Sequence, residues 1–152
     1  MVGKSAGSIT FAELIGSCLD KPYAKGALGD DQYDCLGLLA SLYWKRDLVF
    51  PDQYKDWDRS NYFIYYTEDP KGAIKTAIEF FDSFLDRVSG KMAGDILLVE
   101  QSNGTQFVAV YAGNGQAVSS FIRYGVRVFG LDTAHKVLIV WRPKCQQADY
   151  RK

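Results

Sequence analysis

The clearest chemical potential in this chain lies at Asp34 and Cys35, which open the run Gln32-Tyr33-Asp34-Cys35-Leu36-Gly37-Leu38-Leu39-Ala40-Ser41-Leu42-Tyr43-Trp44. Asp is a preferred helix N-cap. The mostly apolar stretch behind it reads as a buried helix over 35 to about 46, so the thiol falls in the first turn. Unpaired N–H groups at a helix start carry partial positive charge, which favours thiolate, the nucleophilic form of Cys. A plainer reading stands beside this one: Asp34 as a cap and nothing more, and Cys35 as a small core residue, since free Cys is among the most buried residue types. The other two cysteines, Cys18 and Cys145, form no pair with Cys35 or each other at metal-knuckle or redox spacing, so all three read as thiols of a reducing compartment. No metal or cofactor is expected. Gly3-Lys4-Ser5 resembles the end of a phosphate loop but has no room before it for the first glycine. Asn103-Gly104-Thr105 fits a glycosylation sequon and is more economically a turn.

Several elements must position Cys35. Thr10 and Glu13 stand at capping-box spacing ahead of Phe11, Leu14, Ile15 and Cys18, which predicts a first helix over about 10 to 19 with Cys18 in the core. The segment Lys21 to Asp31, dense in Gly, Pro and Asp, reads as the loop that delivers the chain to Asp34. From Asp47 to Pro70 the periodicity lapses, and Phe50, Tyr54, Trp57, Tyr62, Phe63, Tyr65 and Tyr66 stud what reads as a long irregular connection, serving function or covering the core. A third helix is predicted over about 71 to 88 from Ile74, Ile78, Phe81, Leu85 and Val88. After Ser89-Gly90 the period becomes strand-like. Candidate strands are Ile96 to Glu100, Phe107 to Ala112, Gln116 to Phe121, Val126 to Leu131 and Val137 to Trp141. Helices followed by strands argue an α+β fold, with N-terminal helices packed on a C-terminal antiparallel five-stranded meander. The 152 residues read as a single domain, with 1–9 an N-terminal arm and 144–152 a C-terminal tail.

Eighteen basic residues balance eighteen acidic ones, so nothing suggests nucleic acid or an anionic membrane as partner. No apolar run is long enough to span a bilayer, and Met1 to Ser8 lacks the apolar region of a signal peptide.

Four motifs in order carry a family resemblance: Pro22-Tyr23, then Asp34-Cys35-Leu36-Gly37-Leu38, then Gly94-Asp95-Ile96-Leu97-Leu98, then Phe107-Val108-Ala109-Val110-Tyr111-Ala112-Gly113-Asn114-Gly115. Together they resemble the NlpC-type cysteine peptidases, papain-like enzymes that cut cell-wall peptides with a Cys and a His. The phage-borne branch looks most similar, through the continuation to Trp44, the aromatic Pro51-to-Trp57 stretch and the ending Trp141-Arg142-Pro143. The resemblance implies a papain-like NlpC fold, Cys35 as nucleophile position, Tyr23 as a loop residue of the site, a His at the head of the second strand and a second polar residue twelve positions on. Here those two positions hold Phe107 and Ser119. A hairpin turning at Gly113-Asn114-Gly115 sets Val110 opposite Val118 and puts Phe107 on the face of Ser119, so the site is laid out without imidazole. His135, the only histidine, is expected in an exposed turn at the far end of the sheet from Phe107, five or six residues of strand away at about 3.3 Å each, and out of reach as a base.

The expectation is a catalytically degenerate NlpC-like domain, with Cys35 vestigial, serving as a structural or docking component of a phage tail tip. Its partners would be other tail-tip or hub proteins in a symmetric multi-copy assembly, with a peptidoglycan peptide as a further ligand, and its location the virion. The alternative is an active cell-wall endopeptidase or thiol acyltransferase that takes its base from elsewhere, for instance a partner chain. A bacterial binding module unrelated to phage is the third reading.

Overall fold

A computed structural model describes residues 10–24, 27–29, 31–55 and 57–144. The arm 1–9, Cys145 and the rest of the tail lie outside the described residues. Helix α1 (Phe11–Cys18) starts as the spacing predicts: Thr10 Oγ1 accepts from Glu13 N at 3.1 Å, and Glu13 Oε1 accepts from Thr10 N at 3.2 Å. Its buried stripe is Phe11, Leu14, Ile15 and Cys18. A short hairpin, β1 (Leu28–Gly29) with β2 (Gln32–Tyr33), leads into α2 (Cys35–Trp44), whose residues 36–43 are all buried. A helix apolar on every side sits inside a domain, and α2 is the centre of the larger core.

The segment predicted to be irregular is ordered. It contains a hairpin of β3 (Gln53–Tyr54) and β4 (Trp57–Asp58), a 3-10 turn at Arg59–Asn61, and α3 (Tyr62–Glu68). Asp58 starts the turn, its Oδ1 accepting from Asn61 N at 3.1 Å. The rings of Tyr62 and Tyr66, one helical turn apart, lie 5.8 Å from each other. Aromatic residues at nearly every position hid this helical period.

Helix α4 (Pro70–Phe84) buries Ala73, Ile74, Ala77, Phe80, Phe81 and Phe84. It stops four residues short of the predicted end, because Leu85–Arg87 form an edge strand, β5, on the last strand of the sheet. Leu85 and Val88 keep the helical spacing, and strand pairing overrides it. Phe50 anchors the aromatic cluster, edge-on to Phe80, Phe81 and Phe84, while Trp141 packs on Phe81 at 4.8 Å and donates from Nε1 to Asp82 Oδ1 at 2.9 Å.

The remaining strands are β6 (Ile96–Gln101), β7 (Gln106–Gly113), β8 (Gln116–Phe121), β9 (Gly125–Gly130) and β10 (His135–Pro143). The predicted five-stranded meander is corrected: among the described residues the sheet has six strands in the order β5-β10-β6-β7-β8-β9. β10 does not continue the meander beside β9 but returns to pair with β6. In a flat sheet β9 and β10 would then lie about 19 Å apart, four spacings of about 4.8 Å. Only Leu131 to Ala134 join them. The sheet therefore coils, folding opposite corners together, so that the rings of Phe129 and His135 meet at 5.1 Å. Its outer face packs on the helices through Ile96, Leu98, Val108, Val110, Val118, Val126 and Trp141. Its concave face encloses a second cluster around Leu97, Val99, Ala109, Ala117 and Val140.

Candidate active-site cleft

Asp34 is the cap of α2, with its Oδ1 accepting from Gly37 N at 2.5 Å while the residue is 1% exposed. Gly37 is required there: a Cβ would run into the Ala27 carbonyl oxygen and Asp34 Oδ1. The same Ala27 carbonyl accepts from Asp34 N at 3.0 Å, and the Pro22 carbonyl from Tyr33 N at 3.1 Å, so the loop after α1 is laced to the residues before the helix. Ser120 Oγ on β8 donates to the Tyr33 carbonyl at 2.7 Å, which ties the helix start to the sheet.

These ties place Cys35 in a cleft of about 250 Å³. The structure brings together there Tyr23, Cys35, Phe107 and Ser119, four positions singled out in the sequence. Phe107 faces Phe121 across β7 and β8 at 5.6 Å between ring centres and touches Phe129 at the same distance. Val110 pairs with Val118 as the hairpin turn predicts. Ser119 is buried and donates from Oγ to the Val108 carbonyl at 2.9 Å, which commits its proton to the backbone.

The sequence did not identify Tyr62 and Tyr66 as a wall of the cleft, nor Gln101, Thr105, Phe121 and Ile122 as its rim. The density of aromatics before residue 67 was the available signal for the tyrosines. Among the described residues that line the cleft, none is charged.

The expected placement of His135 is corrected. It begins strand β10, pairs with Gln101 at the Phe107 end of the sheet, and is half-buried rather than exposed. It shares Phe129 as a neighbour with Phe107, because the coiled sheet folds that corner over. His135 does not line the cleft, and its Nδ1 lies 3.2 Å from Asp132 Oδ1.

Of the two readings of Cys35, the surroundings oppose the thiolate. Burial pushes the thiol pKa far above its usual range, the negative charge of Asp34 adds to this, and the N–H groups of Leu36 and Cys35 oppose it without prevailing. Tyr23, Tyr62 and Tyr66 are likewise raised, first by burial and then by charge at Cys35. The cleft therefore favours the neutral forms of the thiol and of the three phenols. Among the described residues no cluster of His, Cys, Asp and Glu could hold a metal ion, and no helix is long and apolar enough to cross a membrane.

A sequence model of the NlpC/P60 family matches residues 20–136, well over half of the chain and inclusive of every element of the cleft. The chain belongs to the NlpC/P60 family. Solved structures agree on the fold, a papain-like α+β arrangement. NlpC2 of Trichomonas vaginalis superimposes with a TM-score of 0.61 at 19% identity, covering 93% of this chain and 50% of that one. An NlpC/P60 family protein of Bacillus cereus gives 0.60 at 16% identity, covering 88% of this chain and 39% of that one. The NlpC/P60 domain of the peptidoglycan hydrolase SagA gives 0.50 at 20% identity, with 87% of this chain and 92% of that domain covered. The chain thus spans half or less of the first two and nearly the whole of the third. No match was found among curated protein sequences.

Proposed function

We propose that this NlpC/P60 domain binds a peptide segment in the Cys35 cleft without hydrolysing it, as a docking part of a phage tail tip. The observation that carries the binding reading is the make-up of the cleft beside Cys35, whose described lining has neither imidazole nor carboxylate to act as a base. Papain-type hydrolysis needs a base to take the thiol proton and an acid to return it to the leaving amine. Phe107 can do neither, Ser119 spends its proton on a carbonyl, and the raised tyrosines are not bases near neutral pH. The tail-tip assignment is supported by the run from Asp34 to Trp44 and the ending Trp141-Arg142-Pro143.

A second reading, an active peptidase whose base comes from a partner chain, is favoured by one observation: Cys35 remains at a capped helix start in an accessible cleft. Incubating the protein and its Cys35→Ala variant with a peptidoglycan stem peptide separates the two. No cleavage by either is expected, and Cys35-dependent cleavage would overturn the non-hydrolytic reading. Mass spectrometry of purified particles tests the tail assignment, which fails if this chain is missing from them.

A further inference from the structure

The Cys35 cleft has a neighbouring cavity with which it shares walls. This second cavity, of about 520 Å³, lies between the start of α4 and the β6–β7 turn, and the shared walls are Tyr66 and Thr105. At the boundary Tyr66 donates its phenol proton to the Gln106 carbonyl at 3.1 Å, bridging α3 to β7. The two chambers differ in character. The inner one is aromatic and uncharged, and Ile122 at its rim is 65% exposed. The outer one is lined by Asn103, Gln106 and other residues of which Lys71 alone carries a charge. The carboxylates of Asp69 and Glu100 are not among the lining residues, and each is held by a neutral donor: Asp69 accepts from Gly72 N at 3.1 Å, and Glu100 accepts from Gln106 Nε2 at 3.0 Å.

At about 250 Å³ the inner chamber is smaller than the roughly 300 Å³ at which drug-sized sites begin, so it suits one large side chain rather than a cofactor. A groove with an apolar pocket at one end and a cation at the other is complementary to an extended chain carrying both groups. We propose that the two chambers act as one groove for an extended segment of another protein, seating a large apolar side chain beside Cys35 and, a few residues along, a carboxylate against Lys71. The inference rests on the binding reading of the cleft and adds the chemistry of what is bound.

Protection of Cys35 from iodoacetamide, read by peptide mapping, reports occupancy of the inner chamber. The probes are a blocked hexapeptide Gly-Phe-Gly-Gly-Asp-Gly, its Lys-for-Asp and Ala-for-Phe counterparts, and a peptidoglycan stem peptide. A ligand of Kd about 1 mM supplied at about ten times that concentration slows labelling about tenfold. That slowing is expected for the Phe/Asp peptide and not for the others, and Lys71→Glu should transfer the preference to the Lys peptide. Equal protection by the Asp and Lys peptides, absence of protection by the Phe/Asp peptide, equal protection by the stem peptide, or an unchanged preference in Lys71→Glu would each overturn the proposal. Mass analysis of the same mixtures keeps the two readings apart: Cys35-dependent cleavage counts against the non-hydrolytic function, whatever the preference at Lys71.

Discussion

At Cys35 two influences of opposite sign meet. The helix start favours the thiolate, while an apolar enclosure and the Asp34 charge favour the thiol, and the second pair prevails. Because the folded pKa lies above that of the free thiol, the folded state keeps a proton that the unfolded chain loses above about pH 8.5. Stability from this group is fully present below that pH and is lost as pH rises past it. Urea midpoints should therefore fall on going from about pH 8 to about pH 10, and Cys35→Ser should remove most of that fall. The half-rate of Cys35 alkylation should likewise lie above about pH 8.5. Asp34→Asn keeps a good cap and removes the charge, so it should lower the alkylation midpoint with little loss of stability, whereas Asp34→Ala should cost about 1 kcal/mol or more in denaturant unfolding. Phe107→His is the direct test of the scaffold: hydrolysis of a stem peptide gained on this change would show that only the imidazole was lacking. The motif made Asp34 and Cys35 legible at this scale. The sign of the pKa shift was not, because burial depends on residues far along the chain, such as Ser120, which holds Tyr33 against the sheet across 87 positions.

The elements that hold the cleft are fixed by a few contacts of definite chemistry. At the entry to β6, Asp95 is fully buried and receives Arg142 Nε at 3.0 Å and Nη2 at 2.7 Å, while Met92 N donates to the same carboxylate at 2.8 Å. Arg142 also donates to the Gly90 carbonyl at 3.0 Å, so one guanidinium joins β10 to the connection before β6. Removing one partner of a buried pair leaves the other uncompensated. Arg142→Leu should cost about 3 kcal/mol or more in equilibrium unfolding, against under 1 kcal/mol for loss of the exposed Lys144–Asp86 pair. Helix α2 depends on steric room as well as on its cap, and Gly37→Ala should destabilise through the Ala27 backbone that a Cβ would strike. Helices α1 and α2 were readable because each begins at a side chain that caps it. The end of α4 was not, since Leu85–Arg87 continue the helical spacing and are claimed by β10 from the other end of the chain.

Across the whole molecule, one sheet serves two cores. Its outer face buries α2, and its coiled inner face gathers Phe107, Phe129 and their neighbours into the second cluster. Phe107 thus belongs to the packing of the concave face while also lining the cleft, and Phe107→Ala should lower stability by about 2 kcal/mol, measurable as a shift in urea midpoint. The sequence by itself determined the helices-then-strands order, the cap and thiol at the start of the central helix, the register of the β7–β8 hairpin and the family motifs, because each rests on neighbours a few residues apart. Only the tertiary structure decided that β10 returns to β6, that His135 comes to the Phe107 end of the sheet without entering the cleft, and that α3 walls the cleft with tyrosines. Strand order and sheet coiling are set by pairing between residues tens of positions apart, and a connection as short as Leu131 to Ala134 reads as a hairpin turn until the coil of the whole sheet is seen.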